Sequence, residues 1–223
     1  MSQISEQRRE QIVQTARRIV DEYGPGRLTA EAITQEVGVS RPLLYHYFAN
    51  MGDLLNAVID IYALEFEARL LSWEHDENVR LEAASDPTGW TVSFIGTLRT
   101  DLVDKCPLLR GTDPQEAPAA YPRFLGRCAG IVADHLLVAK EPALAPLLGA
   151  GNPRETVYLT VFGMMGLVRN FPETDNETVA SIVDPLWIKR AAKKIPVKTE
   201  QDKAKEQVTE ETGRKSFLDW IFN

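Results

Sequence analysis

The sequence predicts an all-α fold, and three observations lead to that prediction. Apolar residues recur at helical spacing in several long stretches. Glycine and proline clusters such as Gly24-Pro25-Gly26 separate these stretches. Strand-like alternation of apolar and polar residues is not evident anywhere in the sequence.

The first predicted helix covers residues 5–22. Its apolar residues share one face and are Ile12, Val13, Ala16, Ile19 and Val20. Gly24-Pro25-Gly26 ends this helix, because glycine terminates helices readily and proline cannot continue the hydrogen-bond ladder.

Two short helices are expected next. Thr29 is placed to cap the second helix, residues 30–37, and Ser40 to cap the third, residues 41–47. Gly38 stops the second helix, and Pro42 in the first turn of the third costs no hydrogen bond.

The turn Gly38-Val39-Ser40 makes these two helices a helix-turn-helix. Glycine permits the sharp turn, Val39 fills the angle between the helices, and Leu44 and Phe48 form a buried pair one helical turn apart. In this motif the second helix enters the major groove of DNA, and its N-terminal residues face the base edges. The pattern therefore predicts DNA binding through the third helix.

A helical body and a charged tail are expected after the helix-turn-helix. Asn50 can cap a fourth helix, residues 51–73, while Asp53 reaches back in a capping-box-like arrangement. Later helical stretches are predicted at residues 88–105, 117–140, 153–170 and 177–194, and Pro185 should kink or split the last of them. From residue 191 the polar composition predicts a solvated helix or a disordered tail. The tail ends in an apolar cluster that either docks on the body or stays loose: Phe217, Leu218, Trp220 and Ile221.

Charge is distributed unevenly along the chain. The net charge of -7 opposes DNA affinity, because that affinity depends on phosphate neutralisation by Lys and Arg. Residues 1–50 nevertheless carry equal numbers of basic and acidic residues, whereas the excess of acid lies in residues 51–188. The neutral N-terminal part is therefore the end least repelled by DNA.

The two cysteines, Cys106 and Cys128, are too few for a disulfide framework and lack a metal-binding spacing. The sequence contains no apolar run long enough to span a bilayer, and its polar start is unlike a secretory signal. We expect a soluble cytoplasmic protein with no metal, no cofactor and no membrane partner.

The stretch from Leu28 to Val58 resembles the TetR family of transcriptional regulators. The shared residues are Leu28-Thr29, Gly38-Val39, Leu44-Tyr45-His46-Tyr47-Phe48 and Leu54-Leu55. This resemblance covers residues 5–60 and implies a helix-turn-helix DNA-binding domain at 1–50, a ligand-binding and dimerisation domain at 51–190, and a tail at 191–223. It also implies a homodimer, a palindromic double-stranded operator and a small-molecule effector that releases the DNA.

Seven residues are the candidates for DNA contact. Arg41 can form a bidentate hydrogen bond with guanine, Leu43 can touch a thymine methyl group, and Pro42 lies between them. Thr29, Tyr45 and Tyr47 are suited to phosphates, and His46 to either target. The alternatives are core packing for Tyr45 and a solvated charge for Arg41.

Two features depart from the family pattern or from a DNA-binding face. Many relatives carry a lysine, a phosphate contact, where this chain has Met51-Gly52. Glu31 is an acid near the expected groove, where it either repels phosphate or accepts from cytosine.

The body offers candidates for an effector pocket and a dimer interface. Aromatic and methionine side chains that line a pocket or form core are Trp73, Trp90, Phe94, Tyr121, Phe124, Tyr158, Phe162, Met164 and Met165, with Arg99, Arg123 and His135 as polar anchors. For each of them core packing is the more frequent role. Thr160, Gly163 and Gly166 permit a close helix approach, either between subunits or within one chain.

Two other classes of protein are alternatives to a DNA-binding regulator. An enzyme built on Cys128 and His135 is disfavoured, because residues seven apart on one helix are separated by roughly 10 Å along its axis. The sequence also has no phosphate loop, nucleophile elbow or metal quartet. The other alternative is an interaction protein or sensor that keeps the helix-turn-helix fold but does not bind DNA.

Overall fold

A computed structural model describes residues 3–79, 85–111, 119–139 and 152–187 of the chain. Within these ranges the chain forms helices and turns and no strand, so the all-α prediction is confirmed. The predicted tail and its apolar cluster lie outside the described residues.

Three helices form the N-terminal head: α1 (Gln3–Tyr23), α2 (Ala30–Val37) and α3 (Arg41–Tyr47). A 3-10 turn, Pro25–Arg27, which the sequence did not predict, joins α1 to α2. The bounds of α2 and α3 agree with the prediction.

The caps of the two short helices lie where the sequence predicts them. The Thr29 hydroxyl accepts a hydrogen bond from the Ala32 amide at 3.1 Å, and the Ser40 hydroxyl accepts one from the Leu43 amide at 3.4 Å. Gly38 ends α2 in the left-handed region with φ +72°, which favours a residue without a Cβ atom. These three residues fix the start of α2, the end of α2 and the start of α3.

The core of the head is built by all three helices. Ile12, Ala16, Ile33 and Leu44 are fully buried, and Phe48 is nearly so. The Leu44–Phe48 pair therefore holds α3 on the head from one side, as its spacing predicts.

Helix α4 (Met51–Glu74) leads from the head to the body. The Asn50 side chain caps it by accepting from the Asp53 amide at 3.0 Å. The predicted capping box differs in one bond, because the Asp53 carboxylate accepts from the Asn50 side-chain amide at 3.1 Å and not from a backbone amide.

The body contains α5 (Pro87–Arg99), α6 (Ala120–Ala139), α7 (Pro153–Asn170) and α8 (Asn176–Trp187). Helix α6 packs against α4 and α7, and α5 packs against α8. The predicted helix 88–105 is correct only as far as Arg99. It then widens into a π turn, Thr100–Asp104, in which the Lys105 amide donates to the Thr100 carbonyl, and a 3-10 turn, Pro107–Leu109, follows.

Pro185 was expected to kink or split the last helix; the split is wrong, since α8 runs through Pro185 to Trp187, and the kink stays a prediction. A proline removes one ladder hydrogen bond, and burial of Val179, Ala180 and Val183 holds the helix to the body. Residues 188–194 of the predicted helix lie outside the described part of the chain.

Aromatic rings fill the space between α4 and α5. Trp90 and Phe94 stack with their planes 7° apart, and Trp73 lies within 6 Å of both ring centres. Because Trp90 and Phe94 are buried, these residues form core, which is the alternative the sequence favours.

Candidate nucleic-acid interface

Helix α3 buries one side chain and exposes most of the others. Leu44 is fully buried, whereas Arg41, Pro42, Leu43, Tyr45 and His46 are exposed. A seven-residue helix held by one leucine and by the following Phe48 thus presents its remaining surface to a partner.

The first turn of α3 brings together the three residues predicted to read bases. Arg41, Pro42 and Leu43 follow the Ser40 cap directly, and Leu43 is 37% exposed although it is apolar. In the described part of the chain the Arg41 guanidinium takes part in no ion pair or hydrogen bond, so it is available to an acceptor.

The two tyrosines of α3 have different surroundings. Tyr45 is 45% exposed, so the alternative that it packs in the core is wrong. Tyr47 is half-buried, packs against the core and meets the His46 ring edge-on at 5.3 Å. The Tyr47 ring thus makes an apolar contact, and its hydroxyl can bond a polar partner. Tyrosine commonly combines these two contacts.

Thr29 lies at the start of α2, apart from the α3 residues, and it is exposed. Its oxygen accepts the capping bond, but its hydroxyl hydrogen can still donate to a phosphate. Glu31 is exposed in the first turn of the same helix, where a carboxylate stabilises the helix dipole. This local role explains an acid near the expected groove.

The arginines of α1 divide into paired and available cations. Arg17 is paired with Asp21 and Glu65, and Arg18 with Glu22 and Glu36.

Arg9, by contrast, lies with its guanidinium 4.9 Å from the centre of the Phe48 ring, beside the C-terminal end of α3. Sequence reasoning missed this cation, because only the packing of α1 on α3 shows which arginine lies next to the recognition helix.

The start of α4 is formed by Met51 and Gly52, which offer no cation to a phosphate. Met51 is half-buried and packs against the core, so it does not replace the missing lysine. A Cβ atom at Gly52 would lie 2.9 Å from the Asn50 side-chain oxygen that caps α4. Gly52 therefore leaves room for the cap as well as giving backbone freedom.

The predicted polar anchors of an effector pocket are all engaged in bonds between elements. Arg99 donates to the carbonyls of Pro172 and Thr174, and Arg123 donates to the Asn56 side chain at 2.7 Å. His135 lies 2.7 Å from a Glu67 oxygen.

A groove of about 580 Å³ lies between α4, α6 and α7. Its apolar and small lining residues are Ala63, Leu64, Gly126, Gly130, Ile131 and Tyr158. Tyr158 is the one member of the predicted aromatic set that lines it.

The two cysteines are buried and unpaired. Burial raises the pKa of the Cys106 thiol to about 11 and raises that of Cys128 as well. A thiol with a raised pKa is a poor nucleophile, and the His135 ring is already bonded to Glu67. Together these contacts give no support to a thiol-based active site.

No group of three metal-binding side chains occurs among the residues described, and no described helix is long and apolar enough to cross a membrane.

The outer faces of α7 and α8 expose apolar and small residues. Leu159 is 73% exposed and Ile182 is 55% exposed. A Cβ atom at Gly163 or Gly166 would meet nothing within 4 Å. A close helix crossing within the described chain therefore does not explain these glycines.

Residues 12–58 match the family of bacterial regulatory proteins named tetR, which is the segment from α1 into the first half of α4. Among curated proteins no match to the chain was found. The matched segment contains the seven DNA-contact residues predicted from the sequence and the helix-turn-helix that presents them, whereas Arg9 precedes it.

Proposed function

We propose that this chain, a DNA-binding transcriptional regulator of the TetR family, is a repressor that binds a palindromic operator as a homodimer and leaves it when a small molecule binds the body. The DNA-binding domain would comprise residues 1–50 and the ligand-binding and dimerisation domain residues 51–190.

The exposed N-terminal turn of α3 is the observation that carries this proposal. Arg41 and Leu43 are a donor and an apolar group at the position from which recognition helices reach base edges. Tyr45, Tyr47, His46 and Thr29 would hold the phosphates on either side. Arg9 would add a cation at the far end of α3.

Dimerisation through α7 and α8 is supported by their outer faces. Exposed Leu159 and Ile182 are the kind of apolar residue that subunit interfaces bury, and the open surface at Gly163 and Gly166 permits a partner helix to approach closely. Two-fold symmetry would then place two copies of α3 about 34 to 36 Å apart, or further apart on a longer operator.

The effector would bind in the groove between α4, α6 and α7. This groove has the volume of a small-molecule site. Its lining combines apolar residues such as Leu64 and Ile131 with charged ones, namely Asp60, Glu67, Arg127, Asp134 and Arg154. The groove contacts α4, and α4 connects the body to the head. A ligand bound there could therefore affect how the head holds DNA. An effector that weakens DNA binding must itself be weakened by DNA to the same extent.

Selection of bound duplexes from a random pool tests the function directly. The expected product is a palindrome whose two half-sites are separated by a fixed spacing, bound by a dimer. Recovery of asymmetric single sites alone, or sedimentation as a monomer at micromolar concentration, would contradict the homodimer.

A helix-turn-helix protein that does not bind DNA is the second candidate. The acidic charge of -7, the pairing of Arg17 and Arg18 and the Met51 position favour it. Salt-dependent binding to any duplex distinguishes the two, because only a DNA-binding head releases counterions on association.

A further inference from the structure

We propose that residues 99–111 form a strut that couples the turn between α7 and α8 to the DNA-binding head. This strut runs from the last residue of α5 through the π turn Thr100–Asp104 and the 3-10 turn Pro107–Leu109 to Gly111. It is separate from α4, the covalent link between head and body. The inference rests on the proposed function only for its effect on DNA.

At the head, backbone packs directly against backbone. Gly24 has φ +81° and is buried, and a Cβ atom there would overlap the carbonyl oxygen of Arg110. Gly111 has φ +67°, and a Cβ atom there would lie 3.0 Å from the carbonyl oxygen of Tyr23. Glycine at both positions is what permits this approach.

A side chain of the strut reinforces the same contact. Arg110 donates a hydrogen bond to the carbonyl oxygen of Asp21 in the last turns of α1. The Asp21 carboxylate accepts in turn from the Tyr62 hydroxyl of α4 at 2.8 Å and pairs with Arg17. The end of α1 is thus held by the strut and by α4 together.

At its other end the strut is tied to the body by Arg99. The Arg99 guanidinium donates to the carbonyl oxygens of Pro172 and Thr174 at 2.6 and 2.7 Å. Both carbonyls belong to the turn that joins α7 to α8. A charged donor shared by two carbonyls makes stronger bonds than a neutral one.

The middle of the strut is anchored so that its two ends move together. Leu102 and Leu108 are fully buried, and Cys106 is 95% buried. Asp101 accepts from Arg69 of α4 at 2.9 Å. Packed interiors transmit displacement because they have little free volume. The strut also contains the π turn Thr100–Asp104, and π turns often occur at functional sites.

The consequence is a second route between the proposed dimer interface and the recognition helix. The turn at Pro172–Thr174 joins the two helices of that interface, and Gly24 lies six residues before the first residue of α2. A change in how two subunits meet would therefore reach the end of α1 and the start of α2 through the strut, in addition to the covalent route through α4.

Amide hydrogen exchange of the full chain, read by mass spectrometry, tests the strut without DNA or effector. Arg99→Ala is the decisive variant, because Arg99 does not touch the head. Its matched control is Arg154→Ala, which removes an arginine that pairs with Asp134 between α6 and α7. Gly111→Ala tests the contact at the head, with Gly26→Ala as control, since a Cβ at Gly26 meets nothing within 4 Å.

We expect exchange of residues 20–28 to accelerate about tenfold in Arg99→Ala and in Gly111→Ala, while the amides of α6 keep their wild-type rates. Arg154→Ala should match the wild type at residues 20–28, and Gly26→Ala should match it at residues 20–25, before its own position. Unchanged exchange there in Arg99→Ala would overturn the strut. Uniform acceleration through α6 would overturn it too, because the role of Arg99 would then be stability alone. Should Gly111→Ala fail to fold, Arg99→Ala still decides.

A second measurement uses the duplex that the wild type selects and a copy with one base pair added between its half-sites. Arg99→Ala should discriminate between the two less well than the wild type, by about tenfold, because its heads are held less firmly. Equal discrimination in both proteins would contradict the coupling to DNA. If the wild type selects no duplex, the proposed function fails while the exchange measurement still decides the strut.

Discussion

At the scale of single residues, Arg41 has the most specific predicted effect. Its guanidinium is exposed at the first position of α3, so Arg41→Ala should cost about 1 to 3 kcal/mol of operator affinity and relax the preference at one base pair in each half-site. Affinity measured on the selected duplex and on its single-base variants checks this. An unchanged base preference would mean that α3 does not enter the groove at Arg41.

Tyr47→Phe provides the contrasting prediction. The half-buried ring keeps its packing, and only the hydroxyl is lost. We expect weaker binding to the selected and the unrelated duplex by the same factor, because a phosphate contact carries no sequence information. A selective loss on the operator alone would make Tyr47 a base-reading residue.

Gly52 lies beside the side-chain cap of α4, and this contact predicts the effect of replacing it. A hinge glycine would be stiffened by Gly52→Ala, yet the added Cβ would lie 2.9 Å from the capping oxygen of Asn50. We expect Gly52→Ala to lose part of the cap and about 1 kcal/mol of stability, in the range of Asn50→Ala. Thermal unfolding of both variants and of their double mutant checks this, since a shared cause makes the two losses non-additive. Full additivity would show that the Cβ added at position 52 does not act through the Asn50 cap.

At the scale of elements, the outer face of α7 carries a prediction about assembly. Leu159→Lys places a charge on a 73% exposed residue and should weaken the dimer at least tenfold, because a buried interface would have to desolvate that charge. The control is Leu64→Lys, a 64% exposed leucine on α4. Sedimentation across a concentration series measures the dissociation constant of each variant. Equal dissociation constants for the two variants would mean that α7 is not part of the interface.

The elements themselves were predicted well wherever local signals fix them. Thr29, Gly38 and Ser40 define the ends of α2 and α3 through bonds within four residues, so the sequence is sufficient there. The π turn after Arg99 was missed, because its bounds depend on Leu102 being buried and on Asp101 pairing with Arg69, both contacts distant in sequence. For the same reason Arg9 could not be distinguished from the other arginines of α1.

At the scale of the whole molecule, charge controls binding. Two of the six arginines in the first 50 residues, Arg17 and Arg18, are neutralised by ion pairs, which leaves few cations for phosphates. Arg9→Gln should therefore lower the slope of log affinity against log salt by about 0.9 per head, roughly 1.8 per dimer, on every sequence alike. The slope measured on a selected and an unrelated duplex checks this. An unaltered slope would leave Arg9 as a packing partner of Phe48 only.

The contact between Gly24 and Arg110 also bears on how regulators of this kind diversify. Recombination could move residues 1–50, with their recognition helix, onto the body of another protein. Gly24 would then pack against the loop of that body in place of Arg110, in a contact that has no room for a side chain. Successful exchange of operator specificity should then require residues 106–111 to travel with the head, or the receiving body to present a glycine in the same conformation. The inherited unit would thus be discontinuous in the gene although it is contiguous in space.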